Sequence, residues 1–211
     1  MSLTGLFLII FLAVHLAGNL QLLNDDGGKS FNVYARFMTS NPLIKFTSFG
    51  LYFFIILHAV VGLGIALTNK KAKGTTYAVQ TQNPRTNWAS KNMALLGTLI
   101  FAFLCIHMGD FWLKMKLGQL AEIPYEGEEG LFRDLYSRTA IAFSDPLIVG
   151  VYVVGMIVLA FHLWHGFQSA FQTLGLNHHK YTPAVRFIGS LYAILVPLGF
   201  ALIPIIFYLT R

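Results

Sequence analysis

Charge is scarce in this chain: only 11% of its 211 residues are Asp, Glu, Lys or Arg, against about 25% in an ordinary soluble domain. Cysteine is scarcer still. Cys105 stands alone, which excludes an intrachain disulfide, a CxxCH attachment for covalent haem and a thiolate-held cluster. Any redox group must therefore be held by other ligands. Long polar stretches are missing as well, so no separate soluble domain is expected. The opening segment, MSLTGLFLIIFLAVHLAGNLQLL, lacks the basic lead and small-residue cleavage site of a signal peptide. It reads as a retained first helix, and a short basic, cytoplasmic lead-in is expected ahead of Met1.

What the chain has instead is apolar length. With 55% hydrophobic residues it contains stretches long enough to cross a hydrocarbon core, which takes about 20 helical residues. Spans are expected near 1–23, 44–68, 90–114, 146–174 and 184–210. The expected fold is all-α, an integral membrane bundle of five transmembrane helices forming a single domain over 1–211.

Five spans put the 69–89 and 175–183 loops and the N-terminus on one side, and the 24–43 and 115–145 loops on the other. Lysine and arginine sort evenly between the two, so the positive-inside rule, which counts basic residues, does not choose. Acids do not sort evenly: Asp25, Asp26, Asp110, Glu122, Glu126, Glu128, Glu129, Asp134 and Asp145 all fall on the second side. The acid-free side, with the N-terminus, is taken as cytoplasmic, and the net charge of +6 is assigned to membrane and partner contacts rather than to nucleic acid.

His15, His58, His107 and His162 lie one in each of the first four spans. Ionisable groups inside a bilayer are costly and mark function by default; a hydrogen bond to a neighbouring helix is the alternative for any single one. His15 and His107 sit roughly 12 Å from the outer helix ends, and His58 and His162 roughly 21 to 24 Å. The four thus form two pairs about 10 Å apart in depth. Two facing imidazoles are what six-coordinate haem iron takes as axial ligands, so two pairs imply two b-type haems. A single four-histidine ion site fits worse, because such ligands cannot converge within about 2 Å of one ion. Gly18, Gly62 and Gly166 share helix faces with His15, His58 and His162, where they would admit a porphyrin or let helices pack closely. Asp110 holds that offset from His107, suited to a proton path or to solvent. Spacing alone leaves His162 and His165 both open as ligands. His178 and His179 fall in a cytoplasmic turn.

The chain resembles the di-haem cytochrome b membrane anchor of succinate dehydrogenase/fumarate reductase, in the form with one five-helix subunit. The resemblance rests on VHLAGN, FMTSNP, LHAVVG, NWASKN, IHMGDFW and FHLWHGFQSAFQTLG in that order, and covers essentially the whole chain. It implies His162, with Gly166 four residues on, as the fourth ligand and His165 as its neighbour. It also implies a distal haem on His15 and His107, a proximal haem on His58 and His162, and two soluble partners on the cytoplasmic face. These are a flavoprotein with FAD and an iron–sulphur protein; electrons would pass from its clusters through the proximal and distal haems to a membrane quinone, with menaquinone preferred. The implied location is a bacterial cytoplasmic membrane.

Some relatives carry a glutamate two residues before the fourth ligand, where this chain has Ala160. Candidate quinone residues near the distal end are Asn19, Gln21, Arg36, Ser40 and Asn41, residue types that for any one position suit a cap or a turn better. Candidate haem-propionate residues are Arg85, Ser90 and Lys91, with Arg36 outside, where snorkelling is the alternative. Two other functions fit a histidine-bearing bundle. A transporter should show repeated or broken helices, whereas only the last span is interrupted, by Pro197 and Pro204. A haem b subunit of a hydrogenase or formate dehydrogenase would differ in its partners.

Overall fold

The computed structural model describes residues 1–72 and 88–210. Five helices are long and apolar enough to cross a membrane: Ser2–Leu23, Pro42–Ala72, Met93–Lys116, Pro146–Thr173 and Thr182–Thr210. Each lies within a few residues of its expected span.

In chain order, α1 (Ser2–Asn19) runs into a 3-10 turn (Leu20–Leu23). The amphipathic α2 (Lys29–Ser40) follows, then the long α3 (Pro42–Ala72). The short α4 (Trp88–Lys91) precedes α5 (Met93–His107). A π-helical turn (Met108–Leu113) and α6 (Lys114–Lys116) complete the third span. Strands β1 (Glu122–Ile123) and β2 (Phe132–Arg133) pair antiparallel, Glu122 opposite Arg133. Then come α7 (Leu135–Phe143), α8 (Pro146–Thr173) and α9 (Thr182–Thr210).

Local chemistry sets these ends. Asn41 Oδ1 accepts from Leu43 N at 2.9 Å and Asp145 Oδ1 from Leu147 N at 2.8 Å. Each thus caps a helix that opens on proline, a residue whose missing N–H costs nothing there. Gly175, at φ +75°, ends α8 in the left-handed conformation that glycine adopts without strain. Pro197 and Pro204 lie inside α9, where neighbouring helices can re-satisfy the freed carbonyls.

Helix α8 packs along α9 and also touches α1 and α5. Apolar clusters follow this seam, one around Tyr152, Phe143 and Phe207, another around Met156, Leu159, Leu163 and Ala193. By contrast α3 has no buried residue; it borders α1 and α5 at the edge, presenting Phe46, Phe49, Phe53 and Ile56 outward. In a bilayer that face meets lipid at no cost.

The second-side loops hold more structure than their charges suggest. Asn32 of α2, 1% exposed, donates to Tyr125 Oη at 2.8 Å and Asp134 Oδ1 at 3.0 Å, and accepts from Tyr136 N at 3.1 Å. One amide thereby joins α2, the strand hairpin and α7. At the start of α2, Asp26 accepts from Gly28 N, Ser30 N and the Ser30 hydroxyl. Burial alone would raise its carboxyl, but these hydrogen bonds and that of Lys29 hold it below the usual carboxylate range. Asn32→Leu removes three hydrogen bonds around a buried amide, each worth about 0.5–1.5 kcal/mol. Amide hydrogen exchange in α2 and α7 is expected to speed up together in that variant, while α8 and α9 keep their protection.

Candidate functional site

Helical spacing brings the four membrane histidines together in twos. The rings of His15 and His107 have centroids 5.8 Å apart, at 81° between planes; those of His58 and His162 lie 6.3 Å apart at 66°. Metal–imidazole bonds of about 2 Å place two rings on one ion at about 6 Å between centres. Among the described residues no group of three or more His, Cys, Asp or Glu could hold a metal ion, so a four-histidine ion site does not form.

The second nitrogen of each imidazole decides whether it can act as a ligand. The Thr4 hydroxyl donates its one proton to the Met1 carbonyl at 2.8 Å, so its oxygen can only accept from His58 Nδ1, 3.1 Å away. His58 then carries its proton on Nδ1 and leaves Nε2 free. His107 Nδ1 lies 3.3 Å from Tyr152 Oη, a phenol on α8 that is 7% exposed. The Asn19 amide nitrogen donates to the His15 carbonyl at 2.7 Å and lies 3.3 Å from His15 Nδ1. Nδ1 of His162 is buried without a hydrogen-bond partner among the described residues, a state that costs about 1–3 kcal/mol unless something completes it.

Aromatic rings enclose the first pair: Phe11 and Phe200 on His15, Phe103 and Phe111 on His107. Gly155 has no side chain because Phe103 occupies the space. A Cβ on Gly166 would meet nothing within 4 Å, and one on Gly62 only the tip of Met1, so both leave room beside their histidines. Gly18 does not: the Tyr34 ring from α2 fills its place, and close packing explains it. These residues fit a planar group held edge-in between helices on two axial imidazoles, and the donor set, two neutral nitrogens without thiolate or carboxylate, suits haem iron.

Asp110 is held by two cations. It is ion-paired to Arg138 of α7 and, at 2.9 Å, to Lys114. Of the quinone candidates, Asn19 is engaged with His15, Ser40 donates to Phe37 O at 3.4 Å, Asn41 caps α3, and Gln21 lies in the 3-10 turn, its carbonyl accepting from Asn24 N at 3.2 Å. Arg36 donates to the Glu129 carbonyl and lies 4.6 Å over Phe132. The side chains of Asn19, Ser40 and Asn41 thus make local hydrogen bonds within their own helix ends. Ser90 and Lys91 sit on α4, whose Trp88 ring contacts Phe161, the residue before His162. Arg85 lies outside the described residues. Thr4 and Tyr152 were not apparent from the sequence, where a hydroxyl in an apolar run carries no signal of what it will face.

The chain is similar to a succinate dehydrogenase cytochrome b558 subunit. That protein, from Bacillus subtilis (strain 168), is 27% identical over 169 residues, covering 80% of this chain and 73% of its own length. No family model matches the chain, and no solved structure matches it.

Proposed function

We propose that this chain is the membrane-anchoring cytochrome b subunit of a succinate:quinone oxidoreductase, taking one b-type haem between His15 and His107 and another between His58 and His162. The observation that carries this reading is the pairwise facing of four imidazoles from four spans at 5.8 and 6.3 Å. Similarity to the named cytochrome b558 subunit supports the choice of complex.

Haem, when bound, supplies reversible one-electron chemistry at its iron. The chain's own residues supply neutral axial nitrogens, the Thr4 and Tyr152 hydroxyls that orient them, and an aromatic shell that excludes water. The pairs lie at different depths, so an electron carried from the cytoplasmic to the outer side moves with the membrane potential, which contributes about 2.3 kcal/mol per charge per 100 mV for a full crossing and helps drive succinate oxidation unless protons compensate. In this reading the N-terminus and the α8–α9 turn face the cytoplasm. Lys70, Lys71, Lys91, Lys180 and Arg186 would meet the iron–sulphur and flavoprotein subunits there, and menaquinone is the expected membrane substrate.

A dithionite-reduced minus oxidised spectrum of the purified complex, with haem quantified as pyridine haemochrome, tests the reading. Two b haems per chain and succinate-dependent quinone reduction are expected. Haem-free, well-folded protein with its native partners would overturn it in favour of a histidine-lined transporter. Co-purifying hydrogenase or formate dehydrogenase subunits would reassign the complex. Thr4→Val removes the acceptor for His58 Nδ1 and is expected to weaken haem retention at that pair by about 10–100-fold. Transfer of haem to a scavenging apoprotein measures this, with the His15–His107 haem as internal reference.

A further inference from the structure

The end of the third span and the start of α8 meet α7 around a groove of about 520 Å³, whose lining carries charge of both signs beside an apolar flank. Two separate polar groups line it. One is the pair Lys114 and Arg138, both ion-paired to Asp110. Arg138 Nε also donates to the Asp110 carbonyl at 3.3 Å, which fixes the guanidinium against the π turn Met108–Leu113. Two cations against one carboxylate leave this cluster a net positive charge, and Lys114 with three N–H groups and Arg138 with five have more donors than Asp110 uses. The other polar group is Asp145. Its Oδ1 caps α8 by accepting from Leu147 N at 2.8 Å, and the exposed carboxylate pairs with no cation among the described residues.

Depth orders the lining. The third span runs toward this membrane surface and α8 runs away from it, so Ile106, four residues before Asp110, and Ile148, three after Asp145, each lie about one turn deeper than the charge on their own helix. Ile106 and Ile141 are 44% and 63% exposed, so the flank opens where lipid lies, and a Cβ on Gly109 would meet nothing within 4 Å. Charge at the surface with isoleucine one turn further in is the order of a phospholipid standing in its leaflet, and apolar walls with a few placed polar groups fix a guest of that kind. The head follows from the charges. A phosphatidylglycerol head satisfies the cations but leaves Asp145 facing a second anion. A phosphodiester joined to a primary ammonium complements both groups, and such an ammonium has N–H groups to give a carboxylate, which choline lacks.

We propose that this groove seats one phosphatidylethanolamine, its phosphate accepting from Arg138 and Lys114, its ammonium donating to Asp145, and its acyl chains running inward along Ile106 and Ile148. The site needs only the membrane bundle and stands whether or not haem is bound. A lipid held there ties the third span to α7 and α8 where the π turn interrupts the third helix.

Native mass spectrometry of the protein purified with its native partners, delipidated and titrated with single lipids, tests the site. Phosphatidylethanolamine is expected to fill one site about tenfold more tightly than phosphatidylglycerol or phosphatidylcholine with the same chains. Asp145→Asn removes the charge but keeps a capping side chain, as Asn41 shows on α3, and is expected to abolish the preference over phosphatidylglycerol. Arg138→Gln is expected to weaken phosphatidylethanolamine binding about tenfold. Ile141→Trp, on the exposed flank and so compatible with folding, is expected to empty the tight site by filling the groove, with circular dichroism unchanged. Equal affinity for the three lipids in the wild type would overturn the proposal and leave an ordinary lipid-facing surface. So would a preference that survives Asp145→Asn, or a tight site that survives Ile141→Trp. Occupation of the groove by a short-chain quinone in preference to phosphatidylethanolamine at equal concentration would also overturn it.

Discussion

His162→Ala is expected to halve the haem content of the purified complex, from two b haems per chain to about one, while His165→Ala keeps both. The two residues are one turn apart on α8 and both partly buried, so spacing cannot separate them. Orientation does. The His162 ring faces His58 at 6.3 Å, the separation of two imidazoles that share one metal ion. Among the described residues no ring contact joins His165 to a second imidazole. Six-coordinate iron that loses one axial imidazole keeps only a single protein bond, and haem held so weakly is expected to wash out during purification. Pyridine haemochrome quantification reads the result directly. Equal losses in the two variants would mean that the α8 segment, rather than one imidazole, is what holds the cofactor.

Sequence and structure agree where a residue's cost is visible in the sequence itself. An imidazole in a run such as LFLIIFLAVHLAG is expensive at that depth, so His15, His58, His107 and His162 stand out, and turn counting puts them at two levels. Apolar length announces the spans just as plainly. The partners of those imidazoles were not legible. Thr4 and Tyr152 are ordinary residues of apolar helices, and only the rotation of α1 against α3 and of α8 against α5 brings their oxygens to His58 and His107. Gly18 shows the reverse case: its offset from His15 matches that of a cofactor-facing glycine, yet Tyr34 occupies the space. That ring arrives on α2, whose short amphipathic pattern lies within a stretch readable only as a charged loop. Asp110 was ambiguous for the same reason, since one of its two cations, Arg138, comes from α7, 28 residues further on.

Combining substitutions gives the sharpest test of the pairing, because it asks which histidines share an iron. His15→Ala and His107→Ala are each expected to remove one haem, and the double variant to remove no more than either alone. Two ligands of one cofactor act as a unit, so their deletions are non-additive. His58→Ala with His162→Ala should behave the same way at the other level. Crossed doubles behave differently: His15→Ala with His162→Ala takes one ligand from each pair and is expected to leave no stably bound haem. A lateral arrangement, in which His15 pairs with His58 and His107 with His162, predicts loss of both haems in all three doubles, so the His15/His107 and His58/His162 doubles are the ones that separate the two arrangements. The coordinates favour the first set, since the 5.8 and 6.3 Å contacts join α1 to α5 and α3 to α8. Haem counts in the single and double variants, with helical content checked by circular dichroism to exclude global unfolding, decide between the two, and no knowledge of the quinone or of the partner subunits is needed to read the answer.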